Sequence, residues 1–310
     1  MKKLIRKILT GNTAIREYAT VTVTNNIVER AYLKVNKTVV DVSPNQWVLC
    51  LKPLVFGIWI KDKKLSTVLN KKSRGTLIFE DALSNKKKVA ITQLDVANKI
   101  EEDEGTLFLL QLKHCRLYHL NFFKTHFLFN RYYKKPGLSF NKYKSLVAAY
   151  SYPRKVRIIS FKSNNHYNIF PMDLVGEMKT NNRMVFGLRH TNRTLSMIIE
   201  TKKIVASEAP FVYKEIIYKL GSHHGTAPPL VQELPFKVIE STVFGFHVPE
   251  WVESYKEIQI LETLNAGSHM VLWGEVINEV VLKPATSSLY HVHFMHYLHQ
   301  KRKGLEYPLA

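Results

Sequence analysis

Hydrophobic and polar residues alternate along much of the chain with the period of two that is typical of β-strands. These stretches are rich in Val, Ile, Thr and aromatic side chains, which suit a pleated and half-buried surface. Strands are predicted at 18–28, 38–42, 46–60, 106–112, 114–122, 156–161, 183–188, 204–207 and 270–281. Short helices are predicted at 64–70, 194–201 and 213–220. The pattern therefore predicts a mainly β fold with short helices, such as a barrel with helical excursions.

Three short blocks of sequence recur in the same order. Val55-Phe56-Gly57 recurs 130 residues later as Val185-Phe186-Gly187. Gly105, which opens an apolar strand, recurs 162 residues later as Gly267. His126-Phe127 recurs 167 residues later as His293-Phe294. Collinear blocks with growing offsets indicate a duplicated domain whose second copy has gained loops. We therefore expect two domains, at 1–145 and 146–310.

Length and cysteine content restrict the class of protein. A chain of 310 residues fits two domains of about 150 residues each. Cys50 and Cys115 are the two cysteines, and no CxxC occurs, which favours a reduced cytoplasmic setting over a disulfide scaffold. Residues 1–11 are basic and amphipathic, which predicts a surface helix or a weak membrane-surface contact rather than a signal peptide. No run approaches 18 apolar residues, so no membrane span is predicted.

The net charge of +20 is unevenly distributed. Residues 1–150 carry 27 Lys and Arg against 11 Asp and Glu, and residues 151–310 carry 18 against 14. Such asymmetry can indicate an anionic partner, or it can reflect a solvated surface rich in lysine. Nucleic acid is disfavoured because zinc-ligand spacing, aromatic RNA-binding motifs and an Arg-rich helix are missing from the sequence.

Several segments of the second half resemble the flavin reductase family. They are 156–160, 168–172, 185–195, 204–205 and the Gly267-Ser268-His269 segment before an apolar strand. Members of that family have the FMN-binding split-barrel fold and are homodimers with flavin sites between the barrels. The resemblance, over about 150–300, implies two tandem split β-barrel domains that form an intramolecular pseudo-dimer. The chain would then be a monomer in solution.

The same segments suit the chemistry of FMN. A flavin needs backbone groups and a few polar side chains around its ring, and cations and hydroxyls on its phosphate. The resemblance assigns the ring edge to Asn168, Ile169, Pro171, Met172 and Asp173. Arg189, His190, Asn192, Arg193 and Thr194 would bind the phosphate at the start of a predicted helix. A basic turn that caps a surface helix is the alternative for the second group.

His269 matches a family histidine near the flavin and the nicotinamide. Hydride transfer needs orientation more than acid–base catalysis, so His269 is expected to orient a ligand, or else to be a structural histidine. His291, His293, His296 and His299 form a run that could bind a metal, but the recurrence of His293 as His126 favours a structural role. His223 and His224 could cover the flavin, bind a substrate or lie in an exposed loop.

Asp173 departs from the family, which often has Ser or Thr there. A carboxylate beside an anionic reduced flavin is electrostatically unfavourable, so Asp173 either points away or alters the redox behaviour. In the first half, the offset of 130 places Trp59 where the second half has Arg189, and Lys63 in place of Arg193. We therefore expect the first copy to lack a flavin site.

The sequence thus predicts an FMN-binding oxidoreductase that accepts hydride from NADH or NADPH, as a flavin reductase or a flavoredoxin-like electron carrier. Its electron acceptor is not defined by the sequence. Two alternatives remain at this point. The chain could bind FMN or a similar ligand without catalysis, or the basic first half could dock an anionic partner.

Overall fold

The structure is a computed structural model that describes residues 16–23, 27–69, 74–81, 87–163, 166–221 and 228–304. The amphipathic segment 1–11, His223 and His224 lie outside the described residues. The first half contains β1 (Tyr18–Thr22), β2 (Arg30–Val35), β3 (Thr38–Asp41), β4 (Gln46–Leu51), β5 (Leu54–Ile60), α1 (Lys63–Val68), β6 (Arg74–Asp81), β7 (Lys87–Glu102), β8 (Gly105–Leu117), α2 (Phe122–Leu128) and α3 (Phe140–Ala149).

The second half follows with the same kinds of element. It contains β9 (Arg154–Lys155), β10 (Arg157–Ser163), β11 (His166–Met172), β12 (Val175–Met178), β13 (Arg183–Arg189), α4 (Leu195–Thr201), β14 (Lys203–Glu208), α5 (Lys214–Leu220), β15 (Val238–Glu240), β16 (His247–Pro249), β17 (Ser254–Asn265), β18 (His269–Val281), β19 (Leu289–His293) and α6 (Phe294–Lys301). The predicted mainly β fold with short helices is confirmed.

Two seven-stranded antiparallel sheets dominate the fold, one in each half. Their strand orders are β3-β2-β6-β7-β8-β5-β4 and β11-β10-β14-β17-β18-β13-β12. Strands at matching places in the two sheets follow one another in the same order along the chain. A short helix, α1 or α4, comes at the same point of each half, directly after β5 or β13.

The strand register agrees with the offsets read from the sequence. Arg189 on β13 pairs with His269 on β18. Shifting these two positions back by 130 and 162 residues gives Trp59 and Leu107, which pair on β5 and β8. The third block does not follow this rule, because His126 lies exposed within α2, whereas His293 is buried and caps the start of α6.

Some predicted strand boundaries were wrong because turns and helices interrupt the apolar runs. The predicted strand 46–60 is divided into β4 and β5 by a turn at Lys52–Pro53. The predicted strand 114–122 ends at Leu117, and α2 starts at Phe122. Residue 145, the predicted domain boundary, lies within α3, and the division into two domains stays a prediction.

The two halves pack through β4 of the first against β12, β13 and β18 of the second. A hydrophobic cluster lies between them, in which the rings of Trp59 and Trp273 stack with centroids 5.8 Å apart. Glu102 of the first half accepts hydrogen bonds from Trp273 Nε1 at 2.8 Å and Arg183 Nε at 3.1 Å. A three-stranded sheet, β1-β19-β9, also joins the halves. No helix in the described part of the chain is long and apolar enough to cross a membrane.

Candidate functional site

A cavity of about 380 Å³ lies at the junction of the two halves. Its lining includes six of the eleven residues predicted from the sequence, namely Pro171, Met172, Asp173, Arg189, Asn192 and His269. The rest of the lining is Tyr18, Leu51, Tyr150, Phe170, Leu174, Gly187, Leu188, Gly221 and His291. Its volume is within the range of cofactor sites in proteins.

Adjacent strand ends bring the predicted residues together. Arg189 is the last residue of β13 and pairs with His269, the first residue of β18. The first half contacts the turn before β18, because the Ser268 amide donates to the Lys52 carbonyl at 2.7 Å. Gly267 has a φ of +112°, and a Cβ there would lie 2.6 Å from the Lys52 oxygen. Glycine is therefore required for the turn that carries His269 to meet the turn between β4 and β5.

His269 is buried, at 1% exposure, and its ring is held by both halves. Its Nδ1 lies 2.8 Å from Ser268 Oγ and 3.5 Å from Cys50 Sγ on β4. These contacts fix the orientation of the imidazole at the cavity wall. The geometry suits a residue that positions a ligand.

Asp173 faces the cavity and belongs to a hydrogen-bonded cluster. Its Oδ2 lies 2.8 Å from His291 Nδ1 and accepts from Tyr150 Oη at 3.0 Å. Burial raises the pKa of Asp173, but the hydrogen bonds from His291 and Tyr150 outweigh burial and lower that pKa overall. His291 also contacts Tyr218 of α5 through Nε2. Burial raises the pKa of Tyr218 to about 12. The cluster holds a carboxylate, an imidazole and phenols on one side of the cavity.

Five predicted residues do not line the cavity. Asn168 Nδ2 donates to Thr194 Oγ1 at 2.9 Å, and both side chains are buried. Ile169 belongs to the main hydrophobic core. His190 and Arg193 are exposed. The hydrogen bond between Asn168 and Thr194 joins β11 to the start of α4, so these two side chains bond to each other.

The matching place in the first half is filled by apolar side chains. Trp59 stands where the second half has Arg189, and Leu107 where it has His269. Both belong to the hydrophobic cluster between the halves, together with Met178. Trp59 and Leu107 are at most 2% exposed. The place in the first half that matches Arg189 and His269 is therefore packed hydrophobic core.

The histidine run is divided among different environments. His291 faces the cavity, and His293 accepts from the Met295 amide at 3.1 Å at the start of α6. His296 Nε2 lies 2.8 Å from the buried carboxylate of Glu29, and His299 Nε2 lies 3.6 Å from Asp81. Among the described residues, no group of three or more His, Cys, Asp or Glu side chains could hold a metal ion.

The insertion between β14 and β17 forms part of the wall. Gly221, at the end of α5, lies against Pro171 of β11.

Further along, the buried carboxylate of Glu257 on β17 accepts from the Phe244 amide at 2.7 Å and from Asn278 Nδ2 at 2.8 Å. Burial raises the pKa of Glu257, but these hydrogen bonds lower it overall. Glu257 therefore anchors the insertion to the sheet.

Residues from the first half and from outside the predicted motifs complete the site. Tyr18, Leu51 and Tyr150 were not predicted, because no local motif connects them with β11 or β13. His291 was noticed only as a member of the histidine run. Its position on β19, which pairs with β1, brings it to the cavity.

Comparison by sequence finds no matching family and no matching characterised protein. Comparison of structures finds proteins that cover about half of the chain. An FMN-binding protein from Thermus thermophilus has 18% identity and a TM-score of 0.40, covering 46% of this chain and 86% of its own. An NADH:FAD oxidoreductase from Streptomyces globisporus has 12% identity and a TM-score of 0.40, with coverage of 44% and 81%. A flavoredoxin from Methanosarcina acetivorans has 15% identity and a TM-score of 0.38, with coverage of 43% and 75%. At this level of likeness, none of them assigns a role to a residue of this chain.

Proposed function

We propose that this chain is an FMN-binding oxidoreductase that is reduced by NADH or NADPH. The observation that carries the proposal is the cavity between the halves, which gathers residues of three separate predicted segments. Pro171, Arg189 and His269 come from different strands, yet they line one space of about 380 Å³. If each segment had only a structural role, the three would have no reason to meet at one cavity.

The lining fits a flavin by its chemistry. Apolar side chains, including Leu51, Phe170 and Leu188, offer flat walls for the ring. Arg189 and Asn192 provide a permanent charge and an amide, which suit a phosphate or the polar ring edge. When bound, FMN supplies hydride acceptance from the nicotinamide and onward electron transfer.

The side chains of the cavity would bind FMN and orient it. Arg189 would hold the phosphate, and His269, fixed at Nδ1 by Ser268, would orient the ring. Asp173 would hold its hydrogen bonds with Tyr150 Oη and His291 Nδ1, so that the carboxylate stays ionised at the wall. A negative charge there would make reduction of the bound flavin less favourable.

We also infer that the halves are a duplicated domain with one flavin site. The inference is supported by the equal strand orders and by the apolar filling at Trp59 and Leu107. The first half would then supply a wall of the working site through Tyr18 and Leu51. A stoichiometry of one FMN per chain is expected, and two per chain would contradict the inference.

The test is a titration of the purified chain with FMN, in which binding is measured by flavin absorbance and fluorescence. NADH or NADPH is then added without oxygen, and bleaching of the flavin band is measured. Saturable binding with bleaching supports the oxidoreductase. Binding without bleaching indicates a flavin binder that is not an NAD(P)H oxidoreductase, and absence of binding overturns the proposal.

A further inference from the structure

Four aromatic side chains are exposed on α2 and on the short π-helix, Phe129–Tyr133, that directly follows it. Phe122 is 62% exposed, Phe123 81%, Phe127 41% and Tyr132 37%. The rings of Phe122 and Phe123 are 5.8 Å apart, and Phe123 and Phe127 lie one helical turn apart on the same face. Single exposed apolar residues are common, whereas a group of them indicates an interaction surface. We refer to these four residues as the aromatic patch.

Basic side chains are interspersed with the aromatic patch along the chain. Lys124, Arg131 and Lys134 are all exposed, and the Arg131 guanidinium lies 5.8 Å from the centre of the Tyr132 ring. The sequence contains no Asp or Glu between Glu104 and Asp173, so α2, α3 and the turn between them carry only positive charge. This surface therefore complements an anionic partner.

Two lysines at the edge of the aromatic patch have partners. Lys135 pairs with Glu17 at 2.8 Å, which neutralises one cation of this surface. Lys144 lies 5.3 Å from the centre of the Phe140 ring, which itself packs on Phe122. Aromatic rings and cations are thus interleaved over the surface of α2 and α3.

The arrangement favours a membrane over a nucleic acid. Rings that project from a short helix, with Lys and Arg beside them, can enter the boundary between headgroups and acyl chains while the cations bind anionic headgroups. Platforms that stack bases lie in a positively charged groove, whereas Phe123 is 81% exposed. We propose that the aromatic patch and its cations dock this chain on a membrane surface rich in anionic phospholipid.

The experiment is sedimentation of the full chain with vesicles. Vesicles of phosphatidylcholine alone are compared with vesicles that contain phosphatidylserine, at low and at physiological salt. Binding is expected on the anionic vesicles only and should weaken with salt. The variants Phe123→Ser, and Arg131→Gln with Lys134→Gln, should each lower the vesicle partition coefficient roughly 10-fold or more.

Matched controls carry the same changes at other places. Val212→Ser removes a side chain that is 76% exposed outside the patch, and Lys61→Gln with Lys63→Gln removes the same charge from exposed positions of the first half. Both controls should bind vesicles as the unmodified chain does. Circular dichroism and a thermal melt verify that each variant is folded.

Three results would overturn the proposal. One is an equal loss of binding in the patch and control variants, which would indicate that vesicle binding depends on net charge alone. Another is binding that vanishes on removal of residues 1–11 while the patch variants bind normally. The third is failure to bind anionic vesicles, with or without retention on single-stranded DNA. Flavin titration of the same variants is a separate readout, and its result does not affect this proposal.

Discussion

Gly187→Ala tests how closely the halves must approach for the cavity to form. A Cβ at Gly187 would lie 1.9 Å from the carbonyl oxygen of Leu49, on the other half. The obstacle is backbone, so β4 and β13 would have to separate by about 1 Å. At Gly57, the matching position, the Cβ would lie 2.4 Å from Leu49 Cδ1, which is the end of a side chain. Overpacking should therefore cost about 3 kcal/mol at Gly187 and about 1 kcal/mol at Gly57.

The comparison of the two alanine variants isolates this effect. Replacing glycine by alanine also reduces the entropy of the unfolded chain, by about 0.4–1 kcal/mol, but that gain is common to both variants and cancels in their difference. Urea unfolding at one pH gives the two free energies of unfolding. Since Gly187 also lines the cavity, FMN affinity should fall in Gly187→Ala and remain in Gly57→Ala. Equal unfolding free energies and equal FMN affinities would refute the close approach that the structure describes.

Three further predictions concern the cavity and the anchor of the insertion. Arg189→Ala should weaken FMN binding by about tenfold or more, since it removes a charge-assisted contact. Arg193→Ala, a matched change outside the cavity lining, should have little effect, and equal losses in a fluorescence titration would contradict the assignment. Glu257→Gln should lower the free energy of unfolding by about 2 kcal/mol at neutral pH, because buried donors lose a charged acceptor. Since the pKa of Glu257 is lowered in the fold, its stabilisation is present above the ordinary value and is lost as the pH falls through the folded value. The difference between wild type and variant in urea unfolding should therefore shrink in acid, and a constant gap would exclude this account. Asp173→Asn should raise the midpoint potential of bound FMN by about 30 mV, a tenfold change in relative affinity for its two redox states. An unchanged potential in a spectroelectrochemical titration would place the carboxylate away from the flavin.

Part of the cavity lining could be anticipated because it lies on regular strands. Arg189 and His269 were both candidates, and their direct pairing follows from the register of β13 and β18. Asn168 and Thr194 were also candidates, but their roles could not be read from their types. An amide and a hydroxyl suit a ligand or each other equally well. Only their 2.9 Å separation in the fold shows that they bond to each other.

The sequence by itself determined the mainly β class and about half of the strands, and two of its three repeated blocks fall at matching places in the two sheets. Alternation and turn residues act over a few neighbours, so they are visible in any one stretch of chain. The tertiary structure decided which faces meet. Leu51 and Tyr150 join the cavity, His291 comes to Asp173 through β19, and Trp59 fills the matching place in the first half. These contacts join residues that are far apart in sequence, and they depend on how two complete sheets pack.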